Sequence, residues 1–211
     1  MLIELNGATL AYDDFSPEDP DSEKKPALVF SHSHCMSRTM YSNQVDFFSG
    51  DRRVVCYDHR GQGYSSRDKA ARLDMETLTA DAAMLIEELE LAPCHFVGSA
   101  MGGFVALRLA ARRPDLLSSA IVVCSSIKGA VRGVPYRSGV QAELRNISMP
   151  LLLISGAEDI TCPPEFSDVI AAFVEGARHV RIERAGHTVV LEQPDLVNRL
   201  IAEHVEACDP S

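Results

Sequence analysis

The stretch Phe96-Val97-Gly98-Ser99-Ala100-Met101-Gly102-Gly103-Phe104 has the residue order from which a reactive side chain is presented. An apolar run ends at Gly98, a glycine-bracketed turn follows, and an apolar helical pattern begins. Glycines suit a place where backbones pack too closely for a Cβ. Such a turn lifts its central side chain clear of the strand. The first N–H groups of the following helix lack partners and point the same way, ready for an anion. This is the setting of a G-x-S-x-G nucleophile, in which an apical hydroxyl attacks a carbonyl. The apex here is Ala100, which carries no nucleophile, and Ser99 lies one place early with its side chain expected to point elsewhere. A second cluster, His32-Ser33-His34-Cys35, has spacing that a metal could use. One such cluster without distant ligands falls short of a donor set. No metal and no cofactor are therefore expected, and these side chains are expected to line a loop.

The elements that position the turn follow from apolar patterning. Pro26–Ser31, Arg53–Tyr57, Cys94–Gly98, Ser119–Cys124, Leu151–Ser155 and His179–Ile182 are short apolar runs of the kind buried on both faces of a parallel sheet. Helical patterns lie between them: Met40–Phe48; the set Leu78, Ala82, Leu85, Ile86 and Leu89; the run from the turn to Arg112-Arg113-Pro114; Phe166–Phe173; and Pro194–Val205. Met1–Asn6 and Ala8–Tyr12 form a hairpin around Gly7, and Asp13–Lys25 reads as a solvated loop. Alternation of strands and helices predicts an α/β fold, a doubly wound and mostly parallel sheet with helices on both faces. Functional residues belong at the carboxyl ends of its strands. Asp81 and Glu87-Glu88 read as a solvated helix face, and Cys94 and His95 as core or edge.

The 211 residues, 46% of them hydrophobic, suit a single domain over 1–211. A formal net charge of −10 without a Lys/Arg tract argues against nucleic acid as a partner. Six scattered cysteines read as free thiols of a reducing compartment. The N-terminus has no basic region followed by an apolar run, and no stretch is long enough for a membrane span. A cytoplasmic protein with no membrane partner is expected.

Four motifs in order resemble the α/β-hydrolase family across nearly the whole chain. Val29-Phe30-Ser31-His32-Ser33-His34-Cys35 stands where that family has its oxyanion loop. Asp58-His59-Arg60-Gly61-Gln62-Gly63-Tyr64-Ser65 is similar to its D-x-R-G-x-G-x-S turn. Gly98-Ser99-Ala100-Met101-Gly102-Gly103 is similar to G-x-S-M-G-G with the serine replaced, and Gly156-Ala157-Glu158-Asp159 with Ala185-Gly186-His187 resemble the acid and histidine turns. The finer likeness is to small-ester and lactone hydrolases such as 3-oxoadipate enol-lactonases. The resemblance implies a triad of Ala100 (the nucleophile position), Asp159 and His187, with an oxyanion hole from the backbone amides of Met101 and His34. His187 would take the nucleophile's proton and Asp159 would fix its tautomer. His59 is expected beside the glycine-rich turn, and Cys162 as a structural thiol close to Asp159. The family usually inserts a helical cap where this chain has only Ser125–Met149, enough for a loop and one helix over Gln141–Asn146. Residues Ile127–Tyr136 would roof an open cleft whose apolar rim favours a homo-oligomer.

Three functions fit these residues. The first is a Ser-His-Asp ester or lactone hydrolase whose nucleophile is replaced by alanine, giving an inactive or ligand-trapping form that holds a small-molecule ester or lactone. The second is a non-catalytic binding protein on a hydrolase scaffold. The third is an enzyme that uses His187 and Asp159 as a general base without a covalent step, such as a lyase or cofactor-free oxygenase. Fold alone does not separate them.

Overall fold

In the computed structural model, which describes residues 1–67, 74–127 and 140–210, the apolar runs lie side by side in one eight-stranded sheet. The strands are β1 (Leu2–Leu5), β2 (Ala8–Phe15), β3 (Leu28–Ser31), β4 (Val54–Tyr57), β5 (Cys94–Ser99), β6 (Leu117–Val123), β7 (Leu151–Gly156) and β8 (Arg178–Ile182), in the spatial order β1-β2-β4-β3-β5-β6-β7-β8. The β1–β2 and β2–β4 pairs are antiparallel, and all other pairs are parallel. Asn6 and Gly7, both at positive φ, turn the first hairpin.

Side chains alternate across a strand, so each central strand supplies two cores. Val29, Val55, Phe96, Val122 and Leu153 face one side. There they meet helices α2 (Met75–Glu88), α3 (Met101–Arg112) and α4 (Pro164–Phe173). Phe30, Cys56, Val97, Val123 and Ile154 face the other. That side is covered by α1 (Ser42–Phe48), α5 (Val189–Glu192) and α6 (Pro194–Cys208). The doubly wound sheet expected from the sequence is therefore present, with β5 at its centre feeding α3.

Helix α3 lies against the sheet because its glycines permit it. A Cβ at Gly102 would stand 2.0 Å from the Ser31 carbonyl oxygen, and one at Gly98 would stand 2.0 Å from the Gly102 carbonyl oxygen. Both obstacles are backbone and cannot rotate away. Gly102→Ala is expected to destabilise the protein by about 3 kcal/mol or more, since the helix must lift off β3. Urea unfolding measures this; a loss below about 1 kcal/mol would mean that the helix has room to move.

Several elements differ from the sequence expectation. Strand β2 continues to Phe15, and Asp13 and Asp14 pair with Arg38 and Arg53, so the acidic loop begins later than Asp13. Asp81 is not solvated: it is buried and ion-paired with Arg60, while Glu87 and Glu88 are exposed as expected. The sequence pattern around Asp81 is that of an ordinary amphipathic helix, and only the approach of the Arg60 turn makes it interior. Before β7 the chain forms a short 3-10 turn, Leu144–Asn146, rather than a helix over Gln141–Asn146. The expected roof over Ile127–Tyr136 lies, beyond Ile127, outside the described residues.

Four histidines, His32, His59, His95 and His204, are buried, and burial pushes each below its usual pKa, His204 to about 4 from 6.5. The folded state thus keeps them neutral while the unfolded chain takes up protons near pH 6.5. Stability is full above that pH and falls as pH drops toward about 4, with His204 alone contributing about 3 kcal/mol of the loss. Unfolding free energies at pH 7.5 and 4.5 test this, and His204→Gln should flatten part of the slope. A flat profile over this interval would contradict it.

Candidate functional site

At the end of β5 the chain makes the turn expected from its glycines. Ala100 adopts φ 48° and ψ −104°, a conformation that side-chain-bearing residues rarely hold. Three hydrogen bonds impose it: Ala100 N–H donates to Val123 O at 2.8 Å, Ser125 Oγ donates to Ala100 O at 2.7 Å, and Phe104 N–H donates to the same oxygen at 3.1 Å. Ser99 points away into the interior, where it is buried and its hydroxyl accepts from Ser33 Oγ at 3.1 Å.

The amides of Met101 and His34 make no hydrogen bond to other described residues. Met101 begins α3, so its N–H carries the positive end of the helix. One side chain ties their two loops together. Gln62 accepts the Cys35 N–H through Oε1 at 2.8 Å and reaches Met101 Sδ through Nε2 at 3.7 Å. Gln62 lies inside a motif that the sequence singles out, but nothing in its type reveals this bridge. Cys35 is itself at φ 61° and exposed, which bends the loop sharply after His34.

Beneath the loop the polar side chains serve one another. His32 is fully buried: its Nδ1–H donates to Ser33 O at 2.7 Å and its Nε2 accepts the His59 N–H at 3.0 Å. His59 packs edge-on against His32 and reaches Ser31 Oγ at 3.0 Å. The Asp58 carboxylate takes the Arg38 and Tyr64 amides, at 2.7 and 2.8 Å, and the Arg38 guanidinium. The glycine-rich turn is thus a brace for the loop that follows β3. With both His32 nitrogens occupied, the His32–Cys35 cluster is not arranged as a donor set.

Asp159 follows β7 and His187 follows β8, and the structure brings them together. His187 Nδ1 lies 2.7 Å from Asp159 Oδ2, while the Thr161 and Cys162 amides each donate to Asp159 Oδ1 at 2.8 Å. Burial works to raise the Asp159 pKa, but the His187 hydrogen bond and the two amides outweigh it and hold the carboxyl below its usual range. An imidazole so held keeps its proton on Nδ1 and leaves Nε2 able to accept another.

Cys124, one residue past β6 and at φ 47°, joins this group to the turn. Its neighbour Val123 takes the Ala100 N–H, and its own sulfur lies 3.7 Å from Gly186 O. Cys124, Asp159 and His187 offer ligand atoms within 4.8 Å of one another, the one such group among the described residues. Asp159 and His187 already bond each other, and burial pushes the Cys124 thiol up, so the three make a neutral thiol beside a hydrogen-bonded pair. Burial likewise pushes the Cys162 thiol up to about 12, in keeping with a structural thiol. His95 bonds Ser119 Oγ and Asp209 at the opposite ends of the strands and takes no part in this site.

Comparison with known proteins agrees with this architecture. A family model described as the alpha/beta hydrolase fold matches residues 26–138. The protein BpoC of Mycobacterium tuberculosis is 26% identical over 90% of this chain and 94% of its own length. That alignment runs over 255 residues although this chain has 211, so BpoC carries segments without a counterpart here. A 3-oxoadipate enol-lactonase of Acinetobacter baylyi is 33% identical over 49% of this chain and 39% of its own. Among solved structures, the enol-lactonase from Burkholderia xenovorans LB400 superposes with a TM-score of 0.87 at 22% identity, covering 98% of this chain and all of that one (100%). No helix among the described residues is long and apolar enough to cross a membrane.

Proposed function

Since the chain belongs to the α/β-hydrolase family, we propose that its site is built to open carboxylic esters or lactones by Ser-His-Asp acyl transfer, with Ala100 standing at the nucleophile position. The observation that carries this reading is the intact Asp159–His187 pair, at 2.7 Å, retained in a chain whose apex still holds the strained conformation a nucleophile needs. Strain at the apex costs on the order of 1–3 kcal/mol, so folding alone gives no reason for it.

In the proposed reaction a serine at position 100 attacks the carbonyl, His187 Nε2 takes its proton and returns it to the leaving oxygen, and Asp159 stabilises the imidazolium. The amides of Met101 and His34 receive the oxyanion. Without that hydroxyl the chain keeps the carbonyl-binding and proton-transfer parts and loses the covalent step. It should bind a small ester or lactone and leave it intact. The likeness to enol-lactonases supports this substrate class. The test is Ala100→Ser, which should produce a burst of one acyl group per site, abolished by His187→Ala.

A second reading is favoured by the same retained pair: His187 and Asp159 acting as a general base without a covalent step. It requires measurable turnover in the Ala100 protein that His187→Ala removes, with no gain on Ala100→Ser.

A further inference from the structure

Glu192 is the last residue of the short helix α5 and is exposed, with no place in the reaction described above. Its carboxylate nevertheless closes around the loop that carries His187. Oε2 accepts the Gly186 N–H at 2.7 Å, and Oε1 accepts the Thr188 N–H and the Thr188 hydroxyl, both at 2.9 Å. The two amides are those immediately before and after His187. Gln193 continues the hold, donating Nε2 to the carbonyls of Glu183 at 2.7 Å and Arg184 at 3.1 Å. The hydrogen bonds from Gly186 and Thr188 keep the Glu192 carboxyl below its usual range, so it is ionised at neutral pH.

We propose that Glu192 is a positioning residue that clamps the amides on both sides of His187 and so fixes the imidazole against Asp159.

The loop needs such a clamp. Its residues make no β ladder beyond Ile182, Arg184 sits at φ 55°, and His187 is part-exposed. Asp159 is held rigidly by two amides, but a hydrogen bond aligned at one end only is lost when the other end drifts. A carboxylate is suited to the task because its two oxygens lie in one plane and can take donors from two successive peptide units. Glutamine at this position would keep one acceptor and turn an N–H₂ toward the other donor, so it should hold one side of the loop only.

This inference rests on the proposed roles of His187 and Asp159, and its first readout does not depend on hydrolysis. In the Ala100 protein the downfield proton resonance of His187 Nδ1–H, bonded to Asp159, should be resolved at low temperature. Glu192→Ala should broaden or abolish that resonance while the thermal transition stays cooperative, and Glu192→Gln should leave it weakened. In the Ala100→Ser background, Glu192→Ala should lower kcat on the order of a hundredfold, as expected for a misplaced catalytic group, with KM changed less than about threefold. Glu192→Gln should fall between. An unchanged resonance in both variants, together with unchanged kcat, would overturn the proposal. If Ala100→Ser proves inactive, the hydrolase reading fails while the resonance still decides the role of Glu192. If Glu192→Ala does not fold, a wild-type resonance in Glu192→Gln overturns the clamp and a weakened one supports it.

Discussion

Ala100→Ser should raise turnover of a small aryl ester or lactone on the order of a millionfold, about 8 kcal/mol of transition-state stabilisation. The size of the effect follows from how a triad works. Its members act as a unit, so removing the nucleophile forfeits nearly all of their joint contribution. What survives without it is the roughly thousandfold or greater advantage over water that comes from the oxyanion hole and binding. Two parts of the proposed site are already formed, the apex turn and the Asp159–His187 pair. The apex backbone already holds φ 48° and ψ −104°, so serine requires no backbone adjustment. The Asp159–His187 bond is formed, and the Met101 and His34 amides make no bond to other described residues. Stopped-flow with an activated ester should show a burst equal to the enzyme concentration, followed by slower deacylation. Loosely held substrates lose part of their orientation advantage, and a high KM would accompany such loose binding. A folded variant that gives no burst on a panel of small esters and lactones would sink the proposed function.

In that restored background, Asp159→Asn should lower kcat on the order of ten-thousandfold, although it changes no shape. Asp159 Oδ1 is committed to the Thr161 and Cys162 amides, both at 2.8 Å. An asparagine must keep its carbonyl oxygen there, since its N–H₂ would meet two donors. The N–H₂ is then directed at His187 Nδ1, 2.7 Å from the present Oδ2. Nδ1 must become an acceptor, which moves the imidazole proton to Nε2, where the nucleophile's own proton has to go. The base is blocked by its tautomer rather than by displacement. Restoration of activity at high pH, where hydroxide can relieve the block, would accompany the loss. A variant with nearly full activity at neutral pH would show that Asp159 does not set the His187 tautomer.

Glycine spacing around Ala100, the apolar runs before each turn, and the order of the Asp159 and His187 turns already carried the fold and the candidate pair in the sequence. They are legible because each depends on local constraints: a backbone too close for a Cβ, a strand buried on both faces, a loop at a strand's carboxyl end. Other features depend on which segments meet, and only the tertiary structure decides that. Asp81 is interior because the Arg60 turn, 21 residues earlier, lands on it. Gln62 bridges Cys35 and Met101 across 27 and 39 residues of chain. Cys124 lies beside Asp159 because β6 and β7 are neighbours, and Glu192 clamps the His187 loop because a one-turn helix folds back over it. Hydrogen-bonding side chains of these types occur at any surface. Their partners are fixed by packing at long range, for which amino-acid type and spacing hold no local signal.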